Sequence, residues 1–124
     1  MSRDGYKLSK QARRYLASCC RTPANRILAR QMPAGHNWHP YRVTEPQSGM
    51  WFTDDAAWEF IATQLEEGVP VQQRPAGAEH AYPALEMIVE VTDNERRLYM
   101  KIGILTESNK VIGLSFHYST EEYR

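Results

Sequence analysis

At 124 residues the chain fits one domain by size, large enough to bury a core, and its 15 Lys and Arg balance 15 Asp and Glu to a formal net charge of zero. No apolar run is long enough to span a bilayer and no leader peptide is recognisable, which sets membrane function aside. The two cysteines, Cys19 and Cys20, are adjacent and cannot staple a long loop, so the composition points to a reduced, cytoplasmic setting.

The charge balance hides an asymmetry: residues 1–43 hold nine bases and one acid, and residues 44–98 hold eleven acids and three bases. A basic first third suits an anionic partner, nucleic acid first. The two stretches can equally complement each other, within the chain or between chains. Residues 1–52 read as a basic segment of helices and loops. Ser9 is placed to cap a helix over Lys10–Cys20, with Ala12, Tyr15, Leu16 and Cys19 along one side and Arg13 and Arg14 on another. Thr22-Pro23 reads as the cap and first residue of a second helix reaching Gln31, with Ile27 and Leu28 as its apolar stripe and Arg26 and Arg30 outside.

From Met32 to Phe52 the chain is irregular but dense in functional residue types. Trp38–Val43 predicts a short extended segment, Glu45–Gly49 a turn and Met50–Phe52 another short strand. His36 and His39, three apart, suit a metal only if further ligands arrive from elsewhere, so no metal or cofactor is expected. With Arg42 they also suit base stacking and phosphate contact; Trp38, Tyr41 and Trp51 can instead be core anchors. Thr53 or Asp54 opens an amphipathic helix over residues 53–68, with Trp58, Ile61, Ala62 and Leu65 as its buried stripe and Gly68 and Pro70 as its stop. Val69–Tyr82 follows as a polar connector without a regular pattern. No repeat, phosphate-binding glycine loop or nucleophile elbow is present.

Residues 83–119 organise the rest. LEMIVEV, RRLYMKIGILT and KVIGLSFHYS are rich in β-branched and aromatic residues and separated by the turn signals TDNE and ESN, which predicts a three-stranded antiparallel meander. Alternation puts Leu98, Met100, Ile102 and Ile104 on one face, with Ile112, Leu114, Phe116 and Tyr118 of the last strand. Tyr99, Lys101, Ser115 and His117 then gather on the other face, floored by Gly103 and Gly113. The first strand sends Leu85, Met87, Val89 and Val91 to the core, and Glu86, Ile88 and Glu90 to the polar side. A short turn through Thr92–Glu95 sets Glu90 across from Tyr99 or one step diagonal to it. A solvated sheet face would look the same. The fold class predicted is α+β, with N-terminal helices and the amphipathic helix packed on a C-terminal antiparallel sheet.

That order of elements, closed by LYMKIGI and KVIGLSFH, resembles the RelE superfamily of small bacterial toxins, nearest to its motility quorum-sensing regulator (MqsR-like) mRNA interferases. The residues that carry the resemblance are Tyr99-Met100-Lys101 and Ser115-Phe116-His117, within the last forty or so residues. It implies a RelE/BECR-like sheet, an endoribonuclease acting on mRNA, and a separately encoded antitoxin as partner. Tyr99 and His117 match positions that act in the nuclease site, with His117 standing where a lysine is common. Residues 1–52 depart from the pattern, being longer and richer in Trp and His.

Cleaving RNA without a metal requires a base for the 2′-hydroxyl, an acid for the leaving 5′-oxygen and a cation for the charged phosphate. The candidate catalytic residues are His117, Tyr99, Lys101 and Glu90: an imidazole for proton transfer, a phenol to donate or orient, an ammonium against phosphate, and a carboxylate to pair with the imidazole or act as base. Arg13, Arg14, Arg26, Arg30, Arg42, His36, His39 and Ser115 are the candidates for holding the strand. The competing expectation is a non-catalytic nucleic-acid-binding or protein-interaction module, such as a repressor or a phage-type inhibitor with an acidic surface.

Overall fold

The computed structural model describes residues 8–28, 37–77, 81–90 and 96–119. In chain order its elements are α1 (Lys10–Arg21), β1 (Arg26–Leu28), β2 (Asn37–Trp38), α2 (Asp54–Glu67), β3 (Gln72–Arg74), β4 (Ala84–Glu90), β5 (Arg97–Leu105) and β6 (Lys110–Tyr118). The fold is α+β, with both helices on one face of a six-stranded, mostly antiparallel sheet. The sheet runs β1-β6-β5-β4-β3, and β2 also lies along β6. Among the described residues no helix is long and apolar enough to cross a membrane.

The helices form where caps and apolar spacing agree. Ser9 accepts a hydrogen bond from the Ala12 N–H and Thr53 accepts one from the Ala56 N–H, each satisfying a donor that the first helical turn leaves open. Asp54 and Asp55 occupy the first turn of α2, and Gly68 ends it in the left-handed region at φ 87°. Ala57, Trp58, Ile61, Ala62 and Leu65 are buried, the stripe predicted with Ala57 added. Trp58, 2% exposed, stacks at a tilt on Trp38, with ring centroids 5.0 Å apart.

Three sequence expectations are corrected. Residues 26–28 form strand β1, parallel to β6, where a helix to Gln31 was expected; only Pro23–Asn25 turn, as a single 3-10 turn. The pairing of Ile27 with Ile112 and Leu28 with Gly113 gives these residues two faces to pack, which outweighs the weak pull of a Pro at a helix start. The buried side of α1 is turned by about one position: Arg13, Leu16, Ala17, Cys19 and Cys20 are buried, and Tyr15 is exposed. Of the three suggested aromatic anchors only Trp38 is buried; Tyr41 and Trp51 are 53% and 66% exposed. Glu45–Gly49 does turn, with the Gly49 N–H donating to the Glu45 carbonyl, and Thr44 bridges Trp51 across it. The connector after Val69 is not wholly irregular either, since β3 adds an edge strand to β4.

The meander pairs as expected, with one irregularity that reassigns its faces. Lys101 lies opposite Ser115 but Ile102 lies opposite Gly113, so Leu114 is the extra residue of a β-bulge. Beyond it the alternation of β6 inverts. Phe116 and Tyr118 face the helices as predicted, but so do Val111 and Gly113, while Ile112 and Leu114 pass to the other face. Gly113 therefore does not floor the polar patch. An added Cβ there would sit 2.8 Å from the Trp38 ring and 2.9 Å from Trp58, so the glycine lets two indoles lie on the strand. Gly103 is on the polar side, but Tyr82 covers it, 2.5 Å from where a Cβ would be. Tyr82, Ala84, Ile112 and Leu114 thus form a small second apolar cluster at one end of the face without helices.

Candidate functional site

The other end of that face gathers the candidate catalytic side chains. β5 and β6 are joined by the short turn Thr106–Ser108, with Asn109 in the left-handed region at φ 59°, which sets the register of everything below it. Tyr99 falls opposite His117 and Lys101 opposite Ser115. The Tyr99 and His117 rings lie 5.4 Å apart at a 46° tilt. Lys101 and Ser115 are buried, and Tyr99 and His117 half-buried.

Glu86 is the carboxylate at the centre of this group. The Tyr99 hydroxyl donates to its Oε2 at 2.9 Å, and Lys101 Nζ lies 3.8 Å from the same oxygen. Arg74 Nε on β3 reaches its Oε1 at 3.1 Å. A polar network therefore crosses three strands, from Arg74 through Glu86 to Tyr99 and Lys101, and the Tyr99 ring packs on His117 of the fourth. Glu90, the acid chosen from the sequence, lies opposite Arg97, with Ile88 between it and Glu86 and directly across from Tyr99. Glu86 had been placed on this face by alternation; the register decides which of the two acids meets the phenol. Arg97 shares the parity of Tyr99 and Lys101, two and four residues on, and alternation alone would have found it. Arg74 had no such signal, since a three-residue edge strand in a polar connector has no period to read.

His117 Nδ1 is 2.8 Å from the Tyr118 carbonyl. A carbonyl only accepts, so Nδ1 carries a proton in this contact, which leaves Nε2 as the accepting nitrogen of the neutral ring. The site thus combines a proton-exchanging imidazole, a phenol held by a carboxylate, and an ammonium within two residues of that phenol. Such a set can move a proton at one oxygen and offset negative charge at another.

The residues expected to hold a nucleic-acid strand are mostly placed elsewhere. Arg13 is buried, and its guanidinium donates to the carbonyls of Leu8, Leu65 and Val69, at 3.3, 3.0 and 2.9 Å. Leu65 is in the last turn of α2, so Arg13 closes that helix end, where a cation is favoured. Arg26 does the same for α1, donating to the Cys20 carbonyl at 2.9 Å while pairing with Asp55 at 2.6 Å and covering the Trp58 ring at 5.7 Å. Arg14 is exposed on α1, on the helix side of the sheet, beside a shallow cleft with Lys10 and Glu66. Arg42 is exposed at the end of the 3-10 turn Pro40–Arg42. His39 follows β2, its N–H donating to the Phe116 carbonyl, which puts it beside the His117 end of β6. Arg30 and His36 lie outside the described residues.

Away from this site, burial and charge shift several groups, Cys20, Tyr82 and Glu66 among them. The Cys20 thiol is pushed up to about 12, by burial first and by the neighbouring Cys19. Burial raises the Tyr82 phenol. Arg21 hydrogen-bonds Glu66 and holds its carboxyl below the ordinary carboxylate range. Among the described residues no group of three or more His, Cys, Asp or Glu side chains could hold a metal ion. A cleft of about 460 Å³ lies against α2, lined by Glu45, Phe52, Glu59 and Phe60, and holds none of the candidate residues; the cleft beside Arg13 and Arg14 is of similar size, about 480 Å³. No protein-family model, curated protein or solved structure matches the chain.

Proposed function

We propose that the protein is a metal-independent endoribonuclease with its active site on the open end of the sheet, the toxin of a toxin–antitoxin pair acting on mRNA. The observation that carries this reading is the β5–β6 register, which sets Tyr99 against His117 with Lys101 two residues away. The resemblance of Tyr99-Met100-Lys101 and Ser115-Phe116-His117 to the closing strands of the MqsR-like toxins supports it, and implies a RelE-like fold and a partner antitoxin. In the reaction His117 Nε2 takes the proton of a ribose 2′-hydroxyl as its oxygen attacks the adjacent phosphorus. The bond to the 5′-oxygen breaks and the phenol of Tyr99 protonates the leaving oxygen, giving a 2′,3′-cyclic phosphate and a 5′-hydroxyl. Lys101 offsets the charge that builds on the phosphate, and Glu86 orients Tyr99. Glu90 has no part in this scheme.

The test is cleavage of a single-stranded RNA by the purified, metal-stripped protein. His117→Ala lowers the rate by about 10²–10⁴-fold, the usual span for proton-transfer catalysis, and the same change restores growth to cells arrested by induced expression. An unchanged rate in folded His117→Ala protein removes the residue from the mechanism. One observation favours the second reading, a non-catalytic binding or interaction module: Lys101 is buried beside Glu86, an arrangement that can serve the sheet alone. Wild-type protein that binds RNA but yields no cyclic-phosphate product decides for that reading.

A further inference from the structure

Beside Tyr99 the open face holds a cleft of about 290 Å³, walled by Val71, Gln72 and Arg74 on one side and by Glu86, Ile88 and Tyr99 on the other. Its volume is at the lower limit for small-molecule clefts, enough for one ring system. Two features say what kind of ring. Ile88 is 42% exposed although the register sets it directly opposite Tyr99, so an apolar surface is left open in the middle of a polar face. Arg74 uses its Nε on Glu86 and its side chain is 54% exposed, which leaves the two-donor Nη edge of the guanidinium for a ligand.

We propose that this cleft is a nucleobase subsite that takes a guanine of the RNA strand, a step that rests on reading the adjoining face as the nuclease site. Arg74 donates to O6 and N7 of the base, and Ile88 and Tyr99 supply the surfaces against which the ring packs. Two parallel donors match the paired acceptors of guanine; adenine sets an amino donor beside N7, and pyrimidines lack the pair. A phosphate is the poorer occupant, because the Glu86 carboxylate stands on the same wall and repels an anion. The cleft adjoins Tyr99 and lies two strands from His117, so the base bound there selects where the strand is cut.

The experiment uses full-length His117→Ala protein and fluorescent oligouridines carrying one central guanosine or one central adenosine, with anisotropy as the readout. The guanosine strand binds about 5- to 150-fold more tightly, the range of one good bidentate contact. Arg74→Ala in the same background abolishes the preference. So does Arg74→Lys, which keeps a charge for Glu86 but loses the two-donor edge. Equal affinity for the two strands, or a guanosine preference that survives both substitutions, overturns the subsite. Selective binding by a wild-type protein that does not cleave RNA supports the subsite while removing the nuclease reading. Cleavage by wild-type protein without preference between the strands overturns the subsite and leaves the nuclease reading in place.

Discussion

On the helix side of the sheet, Arg13, Arg21 and Arg26 end on the C-terminal carbonyls of a helix or on the acids of α2. Arg13 and Arg26 close α2 and α1, and Arg21 reaches across to Glu59 at 2.9 Å and Glu66 at 2.6 Å. On the other side, Arg74 and Lys101 converge on the single carboxylate Glu86 beside two half-buried rings. Both sides are rich in charge, yet the first set joins elements far apart in sequence while the second crowds neighbouring strands. The asymmetry between a basic first third and an acidic middle is thus in part an internal complement: for these three arginines the acids and carbonyls of the helical layer are the partner. Only the second set is arranged with an imidazole and a phenol, so the two sides are separable by mutation.

The largest effect expected is on the helix side. Trp58→Ala removes a fully buried indole packed on Trp38 and costs about 3–5 kcal/mol, read from urea unfolding. Retention of wild-type stability would mean that the core does not rest on this pair. Arg13→Ala follows, at about 2–3 kcal/mol, because it strips charged donors from the carbonyls of Leu65 and Val69. Arg14→Ala, one residue on and exposed, falls within about 0.5 kcal/mol of wild type. Equal losses for the two would erase the distinction between a helix-closing and a surface arginine.

Cys20 gives a pH handle on the same layer. Its thiol is raised from 9.0 to about 12, so the folded protein keeps a proton that the unfolded chain releases above pH 9. Its contribution is intact below pH 9 and is lost as pH climbs toward 12, at up to about 1.4 kcal/mol per pH unit. Unfolding measured from pH 8 to 11 shows this decline, and Cys20→Ala flattens it. A decline of equal steepness in the variant assigns the effect to other groups.

How much of this was legible depended on whether a signal was local. The α2 stripe, its cap and stop, and the three long strands follow from periods of 3.6 and 2 with turn residues between them. That Tyr99 and His117 share a face followed too, because alternation holds close to the end of β6, though their direct pairing came only with the register. The bulge at Leu114 was not legible beyond Gly113 beside it, since an isolated strand glycine marks a bulge and a close approach alike and does not say which end of the strand inverts. Nor was β1, where Thr22-Pro23 signals a helix start and only the partner strand β6 makes Arg26–Leu28 extended. The roles of Arg13 and Arg26 depend on carbonyls that sequence does not bring near them. For Glu86 against Glu90 the two acids were equivalent until the register chose.

The smallest effect expected separates the two sides most directly. If RNA lies along the open face, Arg97, exposed and of the same parity as Tyr99, meets a phosphate, whereas Arg14 is on the far side of the sheet. Each phosphate contact to a single strand adds about 0.7 to the slope of log affinity against log salt. Arg97→Ala in the His117→Ala background therefore lowers that slope by about 0.7, and Arg14→Ala leaves it unchanged. Both arginines are exposed, so neither substitution disturbs the core, and the comparison reads contact rather than folding. Loss of slope in Arg14→Ala with none in Arg97→Ala would move the strand to the helix side, beside Lys10 and away from His117. The sheet face would then keep its polar network for the fold, and the nuclease site would have to be sought among the loops around Arg42.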